Sequence, residues 1–300
     1  MGALRIDSTA HKVLYHRLTR LIALLVLLGT FAVELVLPVI AWRWARHPFP
    51  GFFLEHTLVV SDVIGKDWDR SYRTDDLPRL VAINGQPVQS GRDVMQWMDT
   101  ATPGDVLDAT FELPPQSEEE PYTREITVQP FPMSDWISLF FLPYTVGLIY
   151  LGFGMWVFFH RGDRAAGQSF ALFCAAVALS VSLLFDADTT HVFTRVWTAA
   201  MPLAAASLVH LALVFPERGP LIERWPAVRF LPYLLAAPVV LLGQISLYHP
   251  ANPWAYVTQW RWNYEALAAA AVTFFLIMLY ARARSVSEAV SYTHLTLPTN

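Results

Sequence analysis

The sequence predicts a membrane protein: an α-helical bundle of about six transmembrane helices with one small α+β domain inserted after the first. Three observations carry that prediction. The 300 residues are 54% hydrophobic and 15% charged, with a mean hydropathy of +0.37. Soluble domains are usually about a quarter charged. The second observation is layout: an acidic, soluble-looking segment, Pro48–Phe131, lies between apolar stretches long enough to cross a bilayer. The third is charge placement. That segment holds 6 Lys and Arg against 15 Asp and Glu, a net −9, which leaves +5 on the remainder of a chain of net charge −4.

Residues 1–20 form a basic N-terminal stretch with Arg5, Lys12, Arg17 and Arg20. Leu21–Ala41 is an apolar run interrupted by Glu34 and Pro38, and it meets the roughly twenty residues a spanning helix needs. The run is longer than the h-region of a signal peptide, and bulky WRWARH succeeds it where a small-residue cleavage site would stand, so an uncleaved anchor is expected.

Within the soluble segment, Leu58–Val63 and Leu80–Ile83 are runs of strand formers, and Asn84-Gly85 is a turn signal between strand-like flanks. Gly91–Thr100 places Val94, Trp97 and Met98 on one helical face. Pro103-Gly104-Asp105 turns the chain into the strand VLDATFEL, and Arg124–Val128 alternates as a last strand after the solvated loop PPQSEEEP. Five further spans are predicted at Ile137–Phe159, Ser169–Phe185, Val196–Phe215, Phe230–Tyr248 and Ala266–Tyr280, within a membrane block of residues 137–284.

Orientation comes from the basic residues. With the N-terminus inside, Arg5, Lys12, Arg17, Arg20, Arg161, Arg164, Arg218, Arg224, Arg229, Arg282 and Arg284 all lie on the inner side. Only Arg43, Arg46, Arg195 and Arg261 flank the outer side beyond the soluble segment. The positive-inside bias thus places the inserted domain outside the cytoplasm. Trp42, Trp44, Trp136, Trp197, Trp254, Trp260 and Trp262 fall at span ends or in outer loops, where an aromatic belt is expected.

The same residues narrow the function classes. An acidic outer domain repels phosphate, so nucleic-acid binding is disfavoured. The single Cys174 permits neither an intramolecular disulfide nor a cysteine-rich metal site. No His-Glu-x-x-His or Gly-x-Ser-x-Gly pattern is present, which argues against metalloprotease and serine-hydrolase chemistry. No cofactor is implied. Glu34 and His210 are the intramembrane polar candidates, because burying such groups in lipid is costly; each is either functional or simply bonded to a neighbouring helix. Asp186 and Asp188 near His191 offer a weak cation site or a solvated loop cap. His160, beside Arg161 and Arg164, marks a cytoplasmic end, and nothing pairs it with a second histidine for haem. Arg218 and Arg224, in the Pro216–Pro220 turn region, either touch anionic lipid or enforce topology.

LVAINGQPVQSGRDVMQWM and PGDVLDATFEL resemble the strand, Asn-Gly turn, helix and next strand of a PDZ domain. The resemblance rests on the Asn84-Gly85 and Pro103-Gly104 turns and spans most of Gly51–Val128. It implies recognition of an extended peptide by strand addition at a sheet edge. The family's carboxylate-binding loop reads Gly-Leu-Gly-Phe; the nearest segment here is Gly51-Phe52-Phe53-Leu54, with one glycine. The edge beside Phe52–Val60 is therefore the expected contact surface, the alternative being a rigid sensory or spacer module. The whole chain to about Glu288, most clearly at FPGFFLEHTLVV, INGQPV and HLALVFPERGPL, resembles the membrane input region of bacterial sensor histidine kinases. That resemblance implies the inner membrane, a homodimer, and a kinase or other output domain beyond this chain. Alternatives are a PDZ-bearing membrane protease-like or scaffold protein lacking catalytic residues, and a transporter. SYTHLTLPTN, Ser291–Asn300, resembles translated adaptor sequence and is treated as a non-native tail.

Overall fold

In the computed structural model the described residues are 8–63, 77–117, 120–215, 220–247, 249, 252–257 and 261–295. Among the described residues, six helices are long and apolar enough to cross a membrane: Leu14–Trp44, Met133–Arg161, Ala165–Asp188, Thr194–Val214, Pro226–Ser246 and Asn263–Arg284. Each contains or closely overlaps a stretch the sequence predicts. The Pro216–Gly219 turn with Arg218, residues Glu118 and Glu119 of the acidic loop, and Trp260 lie outside the described residues.

Helix α1 (Ser8–Trp44) packs on α4 (Leu142–Arg161) and α5 (Ala165–Ser182). Gly147 and Gly154 of α4 let α4 and α5 approach closely. A Cβ on Gly147 would sit 1.9 Å from Ser182 Oγ, and one on Gly154 would sit 2.8 Å from Cys174 Cβ. Small residues at such positions let helices pack where lipid supplies no hydrophobic drive between them. The short helix α6 (Leu184–Asp188) follows α5, and the short helix α8 (Pro220–Arg224) precedes the fifth span. Helix α7 (Thr194–Val214) is the central post, touching α5, α9 (Leu231–Ser246) and α10 (Arg261–Leu295). α10 runs through the first five residues of the tail, to Leu295.

The prolines inside the spans leave a specific pattern. A helical proline has no N–H for the carbonyl four residues before it, and in a membrane that carbonyl needs another partner. Pro38 frees the carbonyl of Glu34, which accepts a hydrogen bond from Tyr144 Oη of α4 at 3.0 Å. Pro202 frees the carbonyl of Thr198, which accepts from Tyr264 Oη of α10 at 3.1 Å. Two tyrosines thus repair two proline gaps and fix which helices meet there. Before α4, a short helix α3 (Met133–Asp135) passes through a π-helical stretch, Trp136–Phe141, that ends just ahead of Pro143.

The inserted domain begins after a turn of only three residues, Ala45–His47, at the end of α1. Strand β1 (Pro48–Phe49) pairs with β8 (Gln129–Pro130), with Pro48 opposite Pro130 and Phe49 opposite Gln129. β2 (Phe52–Leu54) pairs with β3 (Val60–Val63), and a four-stranded antiparallel sheet has the order β5-β4-β6-β7. Its strands are β4 (Arg79–Ile83), β5 (Gln86–Pro87), β6 (Val106–Glu112) and β7 (Tyr122–Thr127). Asn84 (φ 49°) and Gly85 (φ 72°) form the predicted two-residue turn, both in the left-handed region that such a hairpin requires. Asn84 Oδ1 also accepts from the Asp108 amide at 2.8 Å, tying the turn to β6.

Helix α2 (Gly91–Thr100) matches its predicted limits. It starts on a capping box: Ser90 Oγ accepts from the Asp93 amide and Asp93 Oδ2 accepts from the Ser90 amide. Val94 and Met98 are buried and Trp97 packs at the edge of the same core, beneath Phe52, Leu80, Phe111 and Ile126. Pro103 and Gly104 (φ 104°) form the turn into β6, where Asp105 Oδ2 accepts from the Thr102 amide at 2.7 Å.

Candidate functional site

The site is the seam between the inserted domain and the ends of the spans. Trp44, the last residue of α1, stacks on Phe53 at 5.9 Å. It also meets Phe131 edge-on at 5.3 Å and Phe185 at 5.4 Å. Phe49, Phe53, Leu37, Ala41, Phe140, Leu183 and Phe185 form one buried cluster, so strand residues and span residues share a core. Aromatic pairs of this kind add about 0.5–1.5 kcal/mol each beyond their buried area.

This placement bears on two expectations. Gly51, Phe52, Phe53 and Leu54 are all buried rather than displayed. Gly51 (φ 90°) turns the chain from β1 into β2, Phe52 and Leu54 point into the domain core, and Phe53 points into the seam. Between β2 and α2 runs a slot lined by Phe52, Leu54, Val94, Met95 and Met98, and Thr189 and His191 of the membrane block complete its lining. The His191 ring lies 3.4 Å from where a Cβ on Gly91 would stand. What remains is a cavity of about 40 Å³, room for a water or two and not for a peptide. The second concerns tryptophan. Trp44, Trp136 and Trp197 are half-buried and Trp254 is buried; they pack into the seam or beside it, and Trp254 Nε1 donates to the Leu77 carbonyl at 2.7 Å. Trp42 remains exposed.

A second set of contacts lies further along the seam. His56, in the turn before β3, donates from Nε2 to the Leu247 carbonyl at the end of α9. Its ring faces Tyr256 at 4.9 Å and His191 at 6.3 Å. Burial pushes both histidines down to about 4, assisted at His56 by Arg195 and at His191 by the charge of His56. His191 holds φ 56°, an uncommon conformation for a residue with a Cβ. Beside them a cavity of about 350 Å³ is lined by Glu55, Asp188, Glu265, Tyr256 and Trp197, among others.

Asp186 is a loop cap, but a buried one rather than the solvated one expected. Its Oδ1 accepts from Thr190 Oγ1 and from the Val192 amide, and its Oδ2 accepts from the Phe193 amide at 2.8 Å. These bonds shape the 189–193 loop that carries His191 to the slot. Among the described residues no group of three His, Cys, Asp or Glu side chains is arranged to hold a metal. His160 is exposed and bonds the Trp156 carbonyl of its own helix.

The two intramembrane candidates occupy different places. Glu34 is 1% exposed, between α1, α4 and α5. Ser182 Oγ of α5 is set against its carboxyl without regular hydrogen-bond geometry, and Thr30 Oγ1 is also buried without a partner. His210, on α7, bonds Tyr233 Oη through Nδ1 at 3.1 Å, while its Nε2 has no partner. Nothing in the sequence marks His56, within the FPGFFLEHTLVV segment, or Phe185 as seam residues; their role comes from contacts across the fold. Comparison with known protein families finds no family model that matches the chain, and comparison with curated proteins finds no match.

Proposed function

We propose that this chain is the signal-input portion of a bacterial membrane receptor of the sensor-histidine-kinase type, multi-pass in the inner membrane, with its PDZ-like domain outside the cytoplasm. The observation that supports this most is the shared aromatic core of Trp44, Phe53, Phe131 and Phe185. A domain that merely hung from the bilayer would not share buried residues with several spans at once. Here any change in how the domain sits must alter the packing of α1 and of the helix ends near Phe140 and Phe185.

In this reading the slot between β2 and α2 is closed in the resting state by the chain's own 189–193 loop. An extended peptide adding to β2 would have to expel that loop. The receptor then has two states, docked and released, and a ligand shifts them by its differential affinity. Fusing the chain to a kinase reporter and deleting residues 48–131 while keeping the spans tests this. Stimulus response should vanish with the deletion. A response that survives it would assign sensing to the membrane block and reduce the domain to a spacer.

A further inference from the structure

A large apolar cleft of about 700 Å³ runs down one side of the bundle, walled by α1, α5, α7 and α9. From Arg195 to His210 it tracks fifteen residues of α7, roughly 22 Å at 1.5 Å per residue. That length exceeds one leaflet of a hydrocarbon core about 30 Å thick. Ile22 and Leu203 at its rim are partly exposed, so the cleft opens sideways toward lipid. Arg195 and Gln244 bond one another at the end nearer the seam, with Gln244 Nε2 donating to the Arg195 carbonyl at 2.8 Å.

The other end is built for an anion. Arg229, in the 3₁₀ turn Pro226–Phe230 that opens the fifth span, is 9% exposed and lines the cleft. Its Nε and Nη2 both donate to a single acceptor, Tyr15 Oη, at 3.2 and 2.7 Å, and its guanidinium lies over the Tyr15 and Phe230 rings. Among the described residues no carboxylate lies within 4 Å of it. A guanidinium has five N–H donors, and burying one without a counter-charge is costly. His210 lines the same cleft with Nε2 buried and unpartnered. In the tautomer in which the Tyr233 hydroxyl donates to Nδ1, Nε2 carries the proton and offers the cleft a second donor.

We propose that the cleft holds an acyl chain of an anionic phospholipid, with the lipid phosphate against Arg229 and His210. The chemistry selects this occupant. The guanidinium fork matches phosphate oxygens, it stands at the end of a span where headgroups lie, and the lateral opening admits a lipid whose second chain stays in the bilayer. The inference is independent of the receptor reading.

The test uses the full chain purified in detergent, titrated with dioleoylphosphatidylglycerol or dioleoylphosphatidylcholine, and bound lipid counted by native mass spectrometry. Phosphatidylglycerol should bind at least about tenfold more tightly, the scale of one or two charge-assisted hydrogen bonds. Arg229→Gln should bring it to the phosphatidylcholine level. Leu203→Trp, which fills the cleft and leaves Arg229 in place, should weaken both lipids. Glycerol 3-phosphate should not displace bound lipid. Equal binding of the two lipids by the unaltered protein would overturn the proposal without recourse to any variant. So would preference retained in a folded Arg229→Gln protein, binding unchanged by Leu203→Trp, or displacement by glycerol 3-phosphate alone.

Discussion

Glu34 is the residue whose chemistry fits its surroundings least. A buried polar atom without a partner forfeits about 1–3 kcal/mol, and here the carboxyl, with only Ser182 Oγ set against it in irregular geometry, lies beside an unpartnered Thr30 hydroxyl. Glu34→Leu, close in volume and apolar, should therefore raise the midpoint of thermal unfolding in detergent; a lowered midpoint would mean that the carboxyl has a native partner. Such sites persist when function requires them, so the same variant should impair signalling in the reporter fusion. The tyrosine repairs make the opposite case. Tyr264→Phe should cost about 1 kcal/mol, because it strands the Thr198 carbonyl. In a Pro202→Ala background the cost should shrink, since residue 202 then supplies its own amide; a double-mutant cycle in thermal stability measures the coupling. The sequence marks Glu34, Pro38 and Pro202 as unusual in apolar runs. It does not say which tyrosine answers each proline, because that pairing lies 66 or more residues of chain away.

At the scale of elements, the seam between the 189–193 loop, the His56 turn and the end of α9 is sensitive to acid. His56 and His191 titrate near 4 while docked and near their ordinary 6.5 once released. Between those values the released state binds protons that the docked state refuses. Docking is thus unaffected by pH above about 6.5, weakens as pH falls below it, and levels off near 4. The groups facing the pair are Glu55, whose carboxylate is 3.9 Å from His56 Nδ1, together with Arg195, Asp188 and Tyr256. Amide hydrogen exchange, corrected for the intrinsic rate at each pH, should show lower protection in α2 and residues 189–193 at about pH 5 than at about pH 7. Equal protection at both would rule out histidine control of the seam. The elements themselves were largely visible in the sequence. α2 is legible because its cap, its face and its Pro-Gly exit agree, and the Asn-Gly turn because few residues tolerate that backbone. β1, β2 and β8 are two or three residues long, two of them containing proline, and no periodicity can emerge from so few positions.

For the whole molecule, hydropathy alone located six spans, since length and apolarity are properties of contiguous chain. The docking of domain on bundle was hidden for the converse reason. Phe53 and Phe185, or His56 and Leu247, come together only after every intervening element has folded. An exposed contact surface at Phe52–Leu54 was a fair expectation for β2 taken alone; in the fold those side chains are buried, and Thr189 and His191, far downstream in the chain, line the slot beside them. The same assembly has a consequence for how the chain can be rebuilt. At β1 and β8 the strand entering the domain lies beside the strand leaving it, about 5 Å apart in a paired ladder. The gap between α1 and α3 is therefore already bridged, and everything beyond that pair is a detachable cassette. Any foreign domain whose two ends also meet side by side can be exchanged into it without stretching the spans. Trp44 would still stand at the gate, ready to report whether the newcomer makes contact.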